Sequence, residues 1–323
     1  MATWISESVW ERLGQDGAGR RTVSVDGGRE LAYAEYGCPD GDPVVFFHGT
    51  PGSRLLGKLF DAPASDHGVR LLAFERPGYG NSTPWDDYSH REAGDIVAAL
   101  LDDAGVESAG LVAFSGGTPH ALSTAATHPE RVSRVDIVAG ATPPKVGPEP
   151  PAALRVLARL ATTAPLVLRG LLRGQAWLAD RLDPSFVVSQ YTTSGTSDTS
   201  EPISDAAATV VKADFVEAFR NSRRGAVAEF QQAKREWEIP FDDIEADVCF
   251  WHGTQDTNVP LTGVRRLSEQ LPTARISVID DADHLRTLLR SIPQVVANHG
   301  ESARVEGEPN AHRSDCRNQH TPQ

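Results

Sequence analysis

The feature that most constrains this 323-residue chain is a rhythm of short apolar runs alternating with helix-patterned segments. It breaks off near residue 142 and resumes near 246. RTVSVD and ELAYAEYG read as a hairpin turning at Asp26-Gly27-Gly28. PVVFFHG (43–49) is apolar almost throughout, as a strand buried on both faces requires. VRLLAFERPGYG (69–80) is a strand entering a Gly/Pro loop. HREAGDIVAALLDDAGV (90–106) sets Ile96, Val97, Leu100 and Leu101 on one helix face. SAGLVAF (108–114), a helix in GTPHALSTAATHPE and the strand VSRVDIVAG (132–140) complete the first half. The order predicts an α/β fold: a mostly parallel sheet with helices on both sides.

Between ATPPKVGPEPP and about Pro240 no such strand appears; the pieces are helical. Strand ADVCFWHG (246–253), helix LTGVRRLSEQL, strand RISVID and a last helix from about Leu285 to Ala297 then resume the rhythm. The pattern predicts a core in two parts, 1–142 and 246–298, with a helical lid, 143–245, inserted between two strands. Residues 299–323, nearly free of large apolar side chains, are expected to form a disordered tail.

A formal charge of −13 without a basic run argues against a nucleic-acid partner. Cys38, Cys249 and Cys316 are far apart and odd in number, so neither a disulfide framework nor a zinc site is expected, and a reducing, cytoplasmic setting fits. The N-terminus lacks the basic start and apolar stretch of a signal peptide. No stretch approaches the ~20 apolar residues of a membrane span. The partner expected is a small-molecule substrate, with no cofactor and no metal; the sequence leaves the oligomeric state open.

Four segments carry chemistry. In LVAFSGGTPHAL, Ser115 stands at a strand-to-helix junction, either as a nucleophile on a strained turn or as a helix cap. A tight turn needs small neighbours two residues either side; Gly117 meets this and Ala113 is one methyl larger. HGTPGSR (48–54) leaves a buried strand as a glycine-rich loop, and the N–H groups of Thr50 and Gly116 can serve a developing oxyanion. His48 fits a loop-fixing role better than that of a base. In WHGTQDTNVP, Asp256 follows a strand and can hold an imidazole in one tautomer, or is an ordinary turn aspartate. In IDDADHLRTLL, His284 alone among the ten histidines lies in a loop at a strand's carboxyl end, downstream of both Ser115 and Asp256.

These motifs, HGTPGS, ERPGYGNS, AFSGG, HGTQD and DADH in that order, resemble the α/β-hydrolase fold superfamily, and within it the small serine hydrolases with a helical cap. The resemblance covers about residues 22–298. It implies an esterase- or lactonase-like enzyme with Ser115 as nucleophile, His284 as base, Asp256 as orienting acid, and oxyanion donors at Thr50 and Gly116. Two departures stand out: Ala113 replaces the first glycine of the serine turn, and Thr50 replaces a glycine found in proline iminopeptidases. That peptidase reading also asks for cap acids to hold a substrate amine, for which Glu229, Glu236 and Glu238 are the candidates. Epoxide hydrolases and haloalkane dehalogenases of this fold carry Asp where Ser115 stands, which argues against both.

The reading favoured is hydrolysis of a carboxylic ester, thioester or lactone of a small, largely apolar substrate. Acyl transfer, cyclisation, elimination or perhydrolysis would use the same three residues. A non-catalytic receptor on this fold is the alternative from another class. The insert also carries Arg155, Arg159, Arg169 and Arg173 among leucines, read either as a lid touching membrane or carrier protein or as a solvated face over a leucine core; the second is preferred for the arginines.

Overall fold

The computed structural model describes residues 19–306, except 26, 87, 148, 150 and 194–201. The expected hairpin forms from β1 (Arg21–Val25) and β2 (Arg29–Gly37), paired antiparallel. Gly27 and Gly28 make its turn at φ of +81° and +76°, a region open to glycine. β3 (Asp42–Phe47), β4 (Val69–Phe74), β5 (Ala109–Phe114), β6 (Val132–Val138), β7 (Asp247–Gly253) and β8 (Ala274–Ile279) follow. The sheet order is β1-β2-β4-β3-β5-β6-β7-β8; β2 meets β4 antiparallel and every later pairing is parallel.

Alternate residues of the central strands enter two separate cores. Val44, Phe46, Val112 and Phe114 face one side, with Leu288, Ile292 and Val295. Val45, Phe47, Leu111 and Ala113 face the other, with Ile96, Leu100, Leu122 and Val264. The unbroken apolar runs reflect burial on both faces, at about 1.5–3 kcal/mol per large side chain.

The helices are α1 (Asp61–His67), α2 (Ala93–Asp103), α3 (Thr118–Thr127), α4 (Ala152–Thr163), α5 (Pro165–Arg181), α6 (Ser185–Val188), α7 (Asp205–Ala218), α8 (Arg224–Gln232), α9 (Leu261–Ser268) and α10 (His284–Glu306). Five of them, α4 to α8, lie between β6 and β7. None of the described helices is long and apolar enough to cross a membrane.

Three expectations change. Residues 54–67, given no element from sequence, form a 3-10 turn (Arg54–Phe60) and α1, anchored by fully buried Phe60. The last helix runs to Glu306, past the residue where a tail was expected, and 307–323 lie outside the described residues. Cys38 is disulfide-bonded while Cys249 is free, so the argument from unpaired thiols to a reducing setting does not hold at Cys38.

Candidate active site

Ser115 follows the last residue of β5 with a φ of +50°, a left-handed conformation that a residue with a side chain adopts only under constraint. Its carbonyl accepts from Ala141 N–H at 3.0 Å and from Thr118 Oγ1 at 2.7 Å, which pins the turn on both sides. Of the two sequence readings, the helix cap does not form. The residue capping α3 is Gly117, with no side-chain cap, and the partly exposed Ser115 hydroxyl has no hydrogen-bond partner among the described residues.

The two small neighbours differ in importance. A Cβ on Gly117 would stand 2.7 Å from the Phe47 carbonyl oxygen, so glycine is required there. Ala113 is fully buried in the core with Phe47 and Ile137, where a methyl fills space that glycine would leave empty.

Asp256 and His284 come together. Parallel β7 and β8 end side by side, and Gln255 N–H donates to Ala282 O at 3.0 Å, joining the loops that follow them. Asp256 Oδ2 lies 2.7 Å from His284 Nδ1. Asp256 Oδ1 accepts from the N–H groups of Asn258 and Val259, both at 2.9 Å. Burial pushes this carboxyl up, but the charge and hydrogen bond of His284, the nearby His252 and the backbone donor outweigh it and hold Asp256 below the usual carboxylate range. With Nδ1 held by a carboxylate, Nε2 is the free nitrogen of His284. The Phe114 ring, next to Ser115 in sequence, lies 5.0 Å from the imidazole between centroids. No hydrogen bond links Ser115 to His284 among the described residues; such bonds often close only around a bound substrate.

Thr50 and Gly116 also meet. A Cβ on Gly116 would fall 2.2 Å from Thr50 Oγ1 and 3.3 Å from Thr50 N. The Thr50 N–H has no partner among the described residues. Arg76, fully buried, explains why this N–H is left over. Its guanidinium donates to the carbonyls of His48 and Gly49, the latter at 3.0 Å, so the loop's acceptors are already occupied. His48 Nε2 accepts the Arg76 N–H at 3.1 Å and Nδ1 meets Gly49 O at 2.8 Å, the loop-fixing role expected of it.

Glu229, from α8, departs from expectation. It is not open to a substrate amine: Arg76 Nε donates to its Oε1 at 2.7 Å, and Arg76 Nη2 (3.0 Å), Tyr79 OH (2.8 Å) and Thr50 Oγ1 (2.5 Å) donate to its Oε2. Burial pushes the carboxyl up, yet Arg76 and His120 hold it well below the usual range. Glu238 is exposed and paired with Arg91. A second buried layer lies behind the loop: Arg54 bridges Glu75 and Glu217, and Asp214 Oδ1 accepts from Ser53 N–H at 2.7 Å and Ser53 Oγ at 2.8 Å.

Residues 190–193, which the sequence did not single out, tie the insert to both late loops. The Tyr191 ring stacks on His284 with centroids 6.3 Å apart, and Leu285 N–H donates to Tyr191 O at 3.1 Å. Asn258 Nδ2 reaches Gln190 O at 3.2 Å. Among the described residues no group of three or more His, Cys, Asp or Glu side chains could hold a metal ion.

A family model described as alpha/beta hydrolase fold matches residues 42–288. A haloalkane dehalogenase of Mycolicibacterium paratuberculosis is 31% identical over 140 residues, 42% of this chain and 46% of that protein. A proline iminopeptidase of Xylella fastidiosa is 33% identical over 116 residues, 35% of this chain and 37% of that protein. The chain thus matches less than half the length of each of these relatives. An alpha/beta hydrolase fold protein from Nakamurella multipartita superposes with a TM-score of 0.65 at 23% identity, covering 90% of this chain and all of that one.

Proposed function

This chain belongs to the alpha/beta hydrolase fold family, and within it we propose a serine hydrolase acting on a carboxylic ester, thioester or lactone of a small, largely apolar substrate. Ser115 Oγ attacks the carbonyl carbon while His284 Nε2 takes its proton. Asp256 holds Nδ1–H and stabilises the imidazolium that forms. The oxyanion is met by the N–H groups of Thr50 and Gly116, at the positive end of the helical segment opening at Ser115. His284 returns the proton to the leaving group, and water releases the acyl-enzyme by the same route.

The observation that carries this reading is the turn at Ser115: a hydroxyl on a left-handed residue, spent on no cap, at the carboxyl edge of the sheet. The apolar substrate class is supported by the insert's inner face, where Leu168, Leu172 and Val187 pack in one cluster with Phe114 and Leu285. The peptidase alternative loses its support because Glu229 is engaged by Arg76.

The test is a panel of p-nitrophenyl esters of rising chain length, with lactones alongside, run on wild type and Ser115→Ala. Turnover by wild type and its loss in a folded variant are expected; equal turnover by both would overturn the proposal. Incorporation of labelled solvent oxygen into the acid product separates hydrolysis from acyl transfer.

A further inference from the structure

Among the described residues, every exposed large apolar side chain except Val278 lies between Val156 and Leu182, on α4, on α5 or just after it. Leu166, Val167, Leu171, Trp177 and Leu178, all on α5, are 38% to 76% exposed. The helix does not need them for packing, because Leu168, Leu172, Ala176 and Ala179 already bury its other face. A contiguous exposed apolar surface of this kind marks a contact with something outside the molecule.

The charge of this segment is as unusual. Residues 152–182 hold five arginines and a single acid, Asp180, in a chain whose net charge is −13. Arg169 and Arg173 on α5 and Arg223 before α8 have no acidic partner among the described residues. The Nε atoms of Arg169 and Arg223 are buried without a hydrogen-bond partner. Arg223 is weakened as a cation first by burial and then by the charge of Arg173, which places like charges near one another here.

We propose that the outer face of α5 docks on an anionic lipid surface. Its apolar side chains enter the boundary between headgroups and acyl chains, and Arg169, Arg173 and Arg223 take the lipid phosphates. Charge complementarity selects this occupant. A second copy of the same face would bring cations against cations, whereas an anionic bilayer supplies the missing partners and the apolar bed together. Docking stands without the Ser115 chemistry. That its substrate arrives from the lipid phase rests on that reading, because α5 also packs over the cluster that contains Phe114.

The test is sedimentation of the full chain with vesicles of phosphatidylcholine alone or mixed with phosphatidylglycerol. Binding to the mixed vesicles, weakened by salt, and little binding to phosphatidylcholine are expected. Arg169→Gln/Arg173→Gln is expected to lower vesicle affinity about 30-fold, with its circular dichroism and ester turnover unchanged. A blue shift of emission on binding is expected in wild type and absent in Trp177→Phe. Ser115→Ala is expected to bind like wild type, which separates failure of the chemistry from failure of docking. No binding to the mixed vesicles, equal affinity in the arginine variant, or a blue shift that survives Trp177→Phe would overturn the proposal. So would a dimer that Leu171→Asp dissociates and that binds no vesicle.

Discussion

Asp256 divides its two oxygens: Oδ2 meets His284 Nδ1 at 2.7 Å, and Oδ1 is fixed by the Asn258 and Val259 N–H groups at 2.9 Å. The carboxylate therefore cannot turn without losing backbone bonds, and it leaves Nε2 as the nitrogen of His284 it does not engage. Asp256→Asn keeps the shape but can present an N–H to the ring, favouring the wrong tautomer. The expected outcome is a fall in turnover of about 10⁴-fold with little change in KM. Steady-state kinetics on an ester checks it, and an effect below tenfold would remove Asp256 from the mechanism.

Gly116 and Gly117 should fail differently. A methyl at Gly117 meets the Phe47 carbonyl oxygen at 2.7 Å, backbone that cannot yield, so Gly117→Ala is expected to cost about 1–3 kcal/mol of stability. A methyl at Gly116 meets the Thr50 side chain first, at 2.2 Å, and displaces the loop. Gly116→Ala is therefore expected to lose more turnover than stability. Urea denaturation and kcat, measured together on both variants, separate the two effects. Ala113→Gly, by contrast, opens a small gap in the core and is expected to change kcat less than twofold or so.

The Arg76–Glu229 pair holds the loop that presents the Thr50 N–H. Arg76→Met leaves Glu229 buried without its cation and is expected to cost about 3–5 kcal/mol. Arg76→Met/Glu229→Leu removes the stranded charge, so much of the stability should return. The turnover should not, because the His48 and Gly49 carbonyls have lost their donor. Recovery of both would reduce the pair to a purely structural role.

Two buried carboxyls give stability an unusual pH dependence. Burial pushes Asp214 up to about 7 against the pull of its Ser53 and Leu56 donors. Burial likewise raises Glu75 to about 7, with Arg54 opposing and Glu217 adding to the rise. Both groups hold a proton more tightly in the folded chain than in the unfolded one, so the stability they contribute at low pH is lost as pH rises to about 7. Buried His120, lowered by burial to about 4, acts in the opposite sense between about 4 and 6.5. The difference between wild type and Asp214→Asn isolates the carboxyl. Relative to the variant, wild type is expected to lose Tm as pH rises from 5 to 8; a constant difference would contradict the assignment.

The sheet was legible because strands buried on both faces must be apolar through their buried stretch, and residues 44–47, β5 and residues 248–251 are. The positions of Ser115, Asp256 and His284 followed from the same logic, since each ends or follows a strand. Contacts made across the chain were not legible. Glu229 reads from sequence as a cap acid or an ordinary exposed helical glutamate, because nothing local shows that it faces Arg76, 153 residues away. Arg76 itself offered a signal: an arginine ending a buried strand must find an acid. Residues 54–67 hid their helix behind Pro63 and a charged pattern, although Leu56 and Phe60 anchor it. Tyr191 carried no signal at all; only the folded chain sets it over His284.

Ser115 is proposed as a nucleophile rather than a turn residue. The direct measurement is labelling of the intact protein with a fluorophosphonate probe, followed by mass spectrometry of the modified peptide. The account expects one adduct on Ser115, abolished by Ser115→Ala and strongly slowed by His284→Ala. A folded wild-type protein that takes no label, or takes it on another residue, would contradict the account.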